Sequence, residues 1–211
     1  MSKALKAVVG LGFTGAAGTA GVTSYIYMTS GETIRDKFSV ALIKMDTSEN
    51  SIWDEKWKKL KVESAKVLSG NEKLKKAKDK SATENADETI RNLMKEGCKE
   101  IYDSKFTSEK DNNFQDFKAY CSLWFGDKLK TFIADDTTTA GDNNKWKVKL
   151  DSLNSYTKGL VSDLKNIRTG TGDVSAKKKL IKDWCDNQKE AILEATNSDR
   201  YVNISDICLG S

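Results

Sequence analysis

The chain has 211 residues, of which 31% are charged, and it contains neither histidine nor proline. The lack of histidine excludes Ser/His/Asp and Cys/His catalysis and imidazole-based zinc sites, because histidine is the side chain best suited to proton transfer near neutral pH. With 35 basic and 31 acidic residues, the net charge of +4 is too evenly balanced to predict a nucleic-acid partner.

An uncharged apolar segment at residues 7–28 is the first predicted element. As a helix it would be about 33 Å long, which matches the hydrocarbon core of a bilayer. Lys3 and Lys6 precede it, and this charge bias places residues 1–6 in the cytoplasm. We therefore predict a transmembrane anchor and a single-pass protein of the cell membrane with an extracellular C-terminal domain. The alternative is a signal peptide cleaved after a small-x-small site at 18–20, which also exports the rest of the chain.

Residues 50–133 form a predicted first helical unit, which follows a juxtamembrane segment at 29–49. Its apolar residues recur at intervals of three and four, the spacing that places side chains on one face of an α-helix. Residues 73–87 are polar and charged throughout, which indicates an exposed helix end or a connector. The pattern predicts three helices. The apolar stripe of the first holds Trp53, Trp57, Leu60, Val67 and Leu68 and stops at Ser69 and Gly70. The stripe of the second holds Ile90, Leu93, Met94, Gly97, Cys98, Ile101 and Tyr102, and that of the third holds Phe114, Phe117, Cys121 and Trp124.

A stretch rich in Asp, Thr, Gly and Asn at 134–144 predicts a linker, and residues 145–211 form the predicted second unit. The most regular apolar stripe of the chain runs from Trp146 to Ile167 and predicts one helix that stops before Gly170. Further apolar groups follow, at Leu180, Ile181, Trp184, Cys185, Ile192 and Leu193 and then at Tyr201, Ile204 and Cys208. The predicted fold class is all-α, a single N-terminal transmembrane helix followed by a helical-bundle domain.

The four cysteines fall at the same spacing in both predicted units. Cys98 and Cys121 are 23 positions apart, and so are Cys185 and Cys208. Their flanking residues align without a gap, which predicts two tandem three-helix units. Without a C-x-x-C motif or a histidine, disulfides are expected rather than a metal site, and the simplest of three connectivities pairs the cysteines within each unit. Buried free thiols are the alternative.

No motif for chemistry stands out from the helical pattern. The sequence lacks a glycine-rich phosphate loop, a nucleophile elbow and a paired-cysteine metal site. Its carboxylates are scattered among lysines, as on a solvated helix surface. We therefore expect no enzymatic activity, no cofactor and no metal.

The layout resembles that of a known group of proteins. A short basic start, a Gly/Ala/Thr-rich apolar segment, the stretch at 33–37, tryptophan-headed helices, and the stretch at 183–185 followed by a cysteine near the terminus are similar to those of the uncharacterised paralogous membrane-anchored surface proteins of haemotropic mycoplasmas. The resemblance implies a surface-exposed domain of a bacterium without a cell wall, with a part in antigenic variety or in contact with host cells. It supplies no catalytic residue.

The expected function is that of a membrane-anchored, surface-exposed interaction or antigenic module. Its expected partners are the lipid bilayer, through residues 7–28, and a host-surface or other protein. The alternative is a cytoplasm-facing scaffold protein that docks partners through its lysine-rich helices.

Overall fold

The computed structural model describes residues 31–80, 85–134 and 144–210. These residues are predominantly helical and contain four isolated β-bridges but no strand, which confirms the all-α fold class. The helices of this part of the chain are α1 (Ile34–Lys37), α2 (Asn50–Leu60), α3 (Glu72–Asp79), α4 (Glu88–Tyr102), α5 (Asn112–Asp116), α6 (Phe125–Lys128), α7 (Lys145–Asn154), α8 (Ser162–Thr169), α9 (Val174–Lys189) and α10 (Asp199–Asn203).

The predicted localisation needs correction. Among the described residues, no helix has both the length and the apolar character that crossing a membrane requires. The prediction of a single-pass membrane protein is withdrawn on this finding. The segment at 7–28, on which that prediction was based, lies outside the described residues, as does most of the predicted linker at 134–144.

The helices fall into two units with the same order of elements. The N-terminal unit comprises the described residues of 31–121 with α1 to α5, and the C-terminal unit comprises those of 122–210 with α6 to α10. Each begins with a four-residue helix and an extended segment. Two helices follow, then a longer helix that carries one cysteine, and then a five-residue helix that continues into a π-helical turn ending at the second cysteine. Each unit thus has five helices, against the three expected.

Backbone hydrogen bonds show how closely the two units correspond. Three bonds around the first short helix have counterparts of nearly equal length around α6, and the one that Leu123 donates joins the two units. Each bond connects the chain near a short helix to the chain that follows a long helix or a π-helical turn. They are Ile34 N to Ser104 O (3.0 Å) and Phe125 N to Ala191 O (3.1 Å); Phe106 N to Glu32 O and Leu193 N to Leu123 O (both 2.9 Å); and Leu123 N to Ala41 O and Gly210 N to Thr131 O (both 2.7 Å).

Each unit has its own hydrophobic core, built on a tryptophan-bearing helix. Both helices bury apolar residues at the same i, i+4, i+7 spacing, namely Trp53, Trp57 and Leu60 in α2 and Trp146, Leu150 and Leu153 in α7. This spacing matches Trp53 with Trp146. Because α2 ends at Leu60, the predicted continuation of this helix to Leu68 is wrong. Leu193, half-buried, packs against both cores and so joins them.

The polar stretch at 73–87 contains a packed helix, α3, rather than an exposed helix end or a connector. Asn71 caps it by accepting hydrogen bonds from the N–H groups of Lys73 and Leu74. Leu74 and Ala77 are fully buried. Because Gly97 of α4 has no side chain, Leu74 can lie directly against the α4 backbone: a Cβ at position 97 would be 3.0 Å from Leu74 Cγ.

The stripe from Trp146 to Ile167 is divided between α7 and α8 instead of forming one helix. The intervening residues turn because Asn203, fully buried on α10, holds their backbone. Its side chain accepts a hydrogen bond from Val161 N at 2.9 Å and donates one to Gly159 O at 2.8 Å. The two ends of the stripe therefore remain helical, whereas the backbone between them is held by contacts with α10.

Candidate functional site

The structure pairs the four cysteines within each unit, which is the simplest connectivity. Cys98 and Cys121 lie at an S–S distance of 1.96 Å, and Cys185 and Cys208 at 2.05 Å. All four are buried, and none is free. Each bridge joins a long helix to the π-helical turn behind it. The bridges therefore fix the scaffold of each unit, and no cysteine lines either of the two cavities described below.

An open cleft of about 560 Å³ lies where the two units meet. We call it the junction cleft and define it by the chain at 39–45 and by Arg35, Glu49 and Tyr102 of the N-terminal unit, with Leu123, Lys128 and Leu193 of the C-terminal unit. Its volume falls in the range typical of ligand sites. A second cavity, of about 550 Å³, lies against α3 and α4 and is lined by the N-terminal unit alone.

Tyr102 links the floor of the junction cleft to the disulfide of Cys98 and Cys121 by hydrogen bonds. Its hydroxyl accepts a hydrogen bond from Ile43 N at 3.2 Å and donates one to Cys121 O at 2.6 Å. Burial raises the pKa of Tyr102 above its ordinary value, so the hydroxyl stays protonated and can donate. In the C-terminal unit the equivalent link is direct, from Ile133 N to Cys208 O at 2.9 Å.

The rim of the junction cleft carries three cations, Arg35, Lys44 and Lys128, and one carboxylate, Glu49. Lys128 Nζ lies 2.8 Å from Glu49 Oε1. Arg35 Nη2 lies 2.7 Å from Asp103 Oδ1, where hydrogen bonds from Lys99 and Arg35 hold the pKa of that carboxyl below its ordinary value. Lys44 is exposed and makes no ion pair with the residues that the structure describes. Hydrogen bonds from Ser48 lower the pKa of the nearby Asp46, and the charge of Lys44 contributes to this shift. Lys44 is therefore the one cation that lines the cleft without an ion pair among the described residues.

Exposed apolar side chains stand between these charges. Val40 is 50% exposed and Met45 is 38% exposed, on either side of the buried Ile43. Met45 is long and flexible, a property that lets methionine adapt to different apolar ligands. The cleft thus combines apolar contact area with a cationic rim.

A buried ion pair holds the two units together next to the cleft. Lys56 of α2 reaches Asp127 of α6 at 2.9 Å, and the lysine side chain is only 1% exposed. Its ammonium group also lies over the ring of Trp124, at 3.1 Å from the ring centroid. Burial lowers the pKa of Lys56 to about 8, although Asp127 opposes this shift. Lys59 of the same helix bonds to Glu190 across the same junction.

Two buried carboxylates have structural partners. Asp116, 1% exposed, accepts hydrogen bonds from Leu68 N and Ser69 N. Asp54 accepts a two-fold hydrogen bond from Arg91. In the described ranges, no group of three or more His, Cys, Asp or Glu side chains could hold a metal ion. The absence of enzymatic activity, a cofactor and a metal remains a prediction.

Sequence reasoning identified the cysteines but missed the junction. Trp124 was predicted to lie on the apolar stripe of a third helix. Instead it follows an extended segment, and its backbone N–H donates a hydrogen bond to Asp127 at 2.7 Å. Two signals could have located the junction: Asp127 lies three residues after Trp124, as a helix-start carboxylate should, and Lys56 interrupts a tryptophan-rich face.

Comparison of this chain with models of known protein families, with curated proteins and with solved structures found no match in any of the three.

Proposed function

We propose that this protein is a binding module of two tandem helical units, each closed by a disulfide, that is displayed to an oxidising extracellular environment and holds a protein partner in the junction cleft. One observation carries this proposal: the exposed Val40 and Met45 lie on a cleft floor that Tyr102 ties to a buried disulfide. Interaction sites combine exposed apolar side chains with a rigid support.

Both disulfides support the choice of compartment. Such bonds persist in oxidising environments and are rare in the reducing cytosol. Each closes a loop between cysteines 23 positions apart, which in the chain-entropy model contributes about 3 kcal/mol. A stabilisation of this magnitude suits a small helical unit that exposes part of its apolar surface to a partner instead of burying it.

Site-specific photo-crosslinking tests the binding role. The photoreactive residue p-benzoylphenylalanine replaces Met45 in one variant and Leu180 in a control, since Leu180 is 50% exposed on α9 and does not line the cleft. We expect a discrete protein to cross-link at position 45 and not at 180. The purified partner should bind the unmodified chain and lose binding to the Met45→Arg variant. Equal cross-linking at both positions, or none at position 45, would contradict the proposal.

The redox state of the native protein tests the compartment. Thiols are alkylated before lysis, and peptides are mapped by mass spectrometry without reduction. We expect both intra-unit bridges and no alkylated cysteine. Four alkylated cysteines would refute extracellular display and favour the cytoplasm-facing scaffold, because a reducing compartment keeps thiols free.

A further inference from the structure

Building on the proposed binding role, we infer that the junction cleft takes an acidic peptide segment of the partner, in which a carboxylate side chain is next to an aliphatic one. The cationic rim and the exposed apolar residues of the cleft each select one of these two chemical features.

The charges of the rim select a carboxylate. Glu49 is already bonded to Lys128, and its side chain is only 12% exposed, so it offers little to a cationic ligand. Arg35 and Lys128 are each bonded to a carboxylate, Asp103 and Glu49. Lys44 is exposed and makes no ion pair with the described residues; its charge acts on Asp46, which does not line the cleft and accepts hydrogen bonds from Ser48. Lys44 can therefore donate a charge-assisted hydrogen bond to an anionic ligand. The electrostatics of the cleft therefore favour an acidic segment.

The apolar residues of the cleft select against a purely electrostatic ligand. Val40 and Met45 expose their side chains beside Lys44, so an aliphatic group next to the bound carboxylate would remove both from water. A simple polyanion would leave this apolar area uncovered. A purely apolar ligand would cover Lys44 without giving it a counter-charge, which is costly for a cation. A ligand with both features avoids both costs.

The backbone beside the cleft favours a peptide over a smaller ligand. Leu42 is extended and already pairs with another stretch of backbone, through an antiparallel bridge with Ser122. Lys44 and Met45 are both exposed on the chain that follows. A peptide segment spans several side chains and can reach both, and the cleft volume of about 560 Å³ suits a segment of this kind.

Selection from a random heptapeptide phage library tests the inference. The purified full-length chain with both disulfides intact is the target. We expect the selected peptides to be enriched in Asp or Glu next to Leu, Ile, Val or Met. A synthetic peptide of the selected sequence should bind about tenfold more tightly, by titration calorimetry, than its Asn or Gln counterpart, since one charge-assisted hydrogen bond is lost.

Three variants locate the binding site. Lys44→Glu should weaken the selected peptide at least about tenfold, and Met45→Ser should weaken it severalfold through lost apolar contact. Lys165→Glu is the matched control, because Lys165 is exposed on α8 outside the cleft and makes the same charge change. It should leave affinity unchanged. Circular dichroism and disulfide mapping establish that each variant is folded.

Several results would overturn the inference. One is a phage selection that yields no binders or no enrichment in acidic residues. Another is equal affinity of the selected peptide for wild type and for Lys44→Glu. A third is polyaspartate that competes with the selected peptide as strongly as the unlabelled peptide does, which would indicate a purely electrostatic surface. The proposed function fails separately. If position 45 still cross-links to a protein while the selected peptides are not acidic, the binding role stands and the ligand class is wrong.

Discussion

The buried lysine of the junction should make the stability of the protein depend on pH in an unusual direction. Lys56 has a pKa of about 8 in the folded chain, against an ordinary value of 10.5. Between these two values the unfolded chain binds more protons than the folded one. Unfolding therefore becomes less favourable as pH rises through this window, and the folded state gains stability, the opposite of what a solvent-exposed lysine in an ion pair would cause.

The size of this effect follows from the two pKa values. A difference of one pKa unit corresponds to about 1.36 kcal/mol, so the full shift of Lys56 represents roughly 3 kcal/mol. Most of this free-energy cost disappears between pH 7 and pH 10, as the buried lysine loses its proton. We therefore expect the contribution of Lys56 to the free energy of unfolding to rise by about 2 to 3 kcal/mol over that range. Below pH 7 the lysine is charged in both states, and its contribution no longer changes.

Urea unfolding at pH 7, 8, 9 and 10 measures this contribution when wild type is compared with Lys56→Met. The methionine matches the length of the buried lysine stem but cannot titrate. Other lysines and tyrosines titrate in both proteins, so their effects cancel in the difference between the two curves. The wild-type free energy of unfolding should rise relative to that of the variant. If the two curves run parallel, Lys56 titrates at its ordinary pKa and the junction is open to water.

Three further variants probe the scaffold by the same urea measurement. Replacing Cys98 and Cys121 by alanine should lower the free energy of unfolding by about 3 kcal/mol, and an unchanged value would mean that the bridge does not constrain the unfolded chain. Tyr102→Phe should cost about 1 to 2 kcal/mol because two buried backbone groups lose their partner; a neutral effect would place water at the hydroxyl. Gly97→Ala should cost about 1 kcal/mol or more, since its Cβ would overlap Leu74; a stabilised variant would show that α3 can move away.

Local patterns in the sequence predicted the features that depend on local contacts. The α-helical period located α2, α4 and α9, because each presents one apolar face to a core. The equal spacing of the cysteines predicted their pairing for a related reason. In each unit the second cysteine ends a π-helical turn that packs on the long helix carrying the first one.

Contacts between distant residues explain what the sequence did not predict. The apolar face of α3 consists of Leu74 and Ala77 alone, too little to detect, and it is buried because Gly97 allows a close approach. The pair of Lys56 and Asp127 joins residues 71 positions apart, and no periodicity can connect them. The junction cleft is lined by residues that are equally far apart in the sequence, so it could not be predicted for the same reason.

The junction is built once, although the units that form it are alike. Lys149 holds the position after Trp146 that Lys56 holds after Trp53, but its ammonium group donates to Asp206 O within its own unit. Thr33 stands at the start of the first short helix where Trp124 stands at the start of the second. The outer faces of the two units therefore lack the lysine and tryptophan arrangement that joins them. Since the cleft takes its walls from both units, the proposed binding role requires both units together, and Leu123 and Leu193 of the C-terminal unit also pack in the N-terminal core.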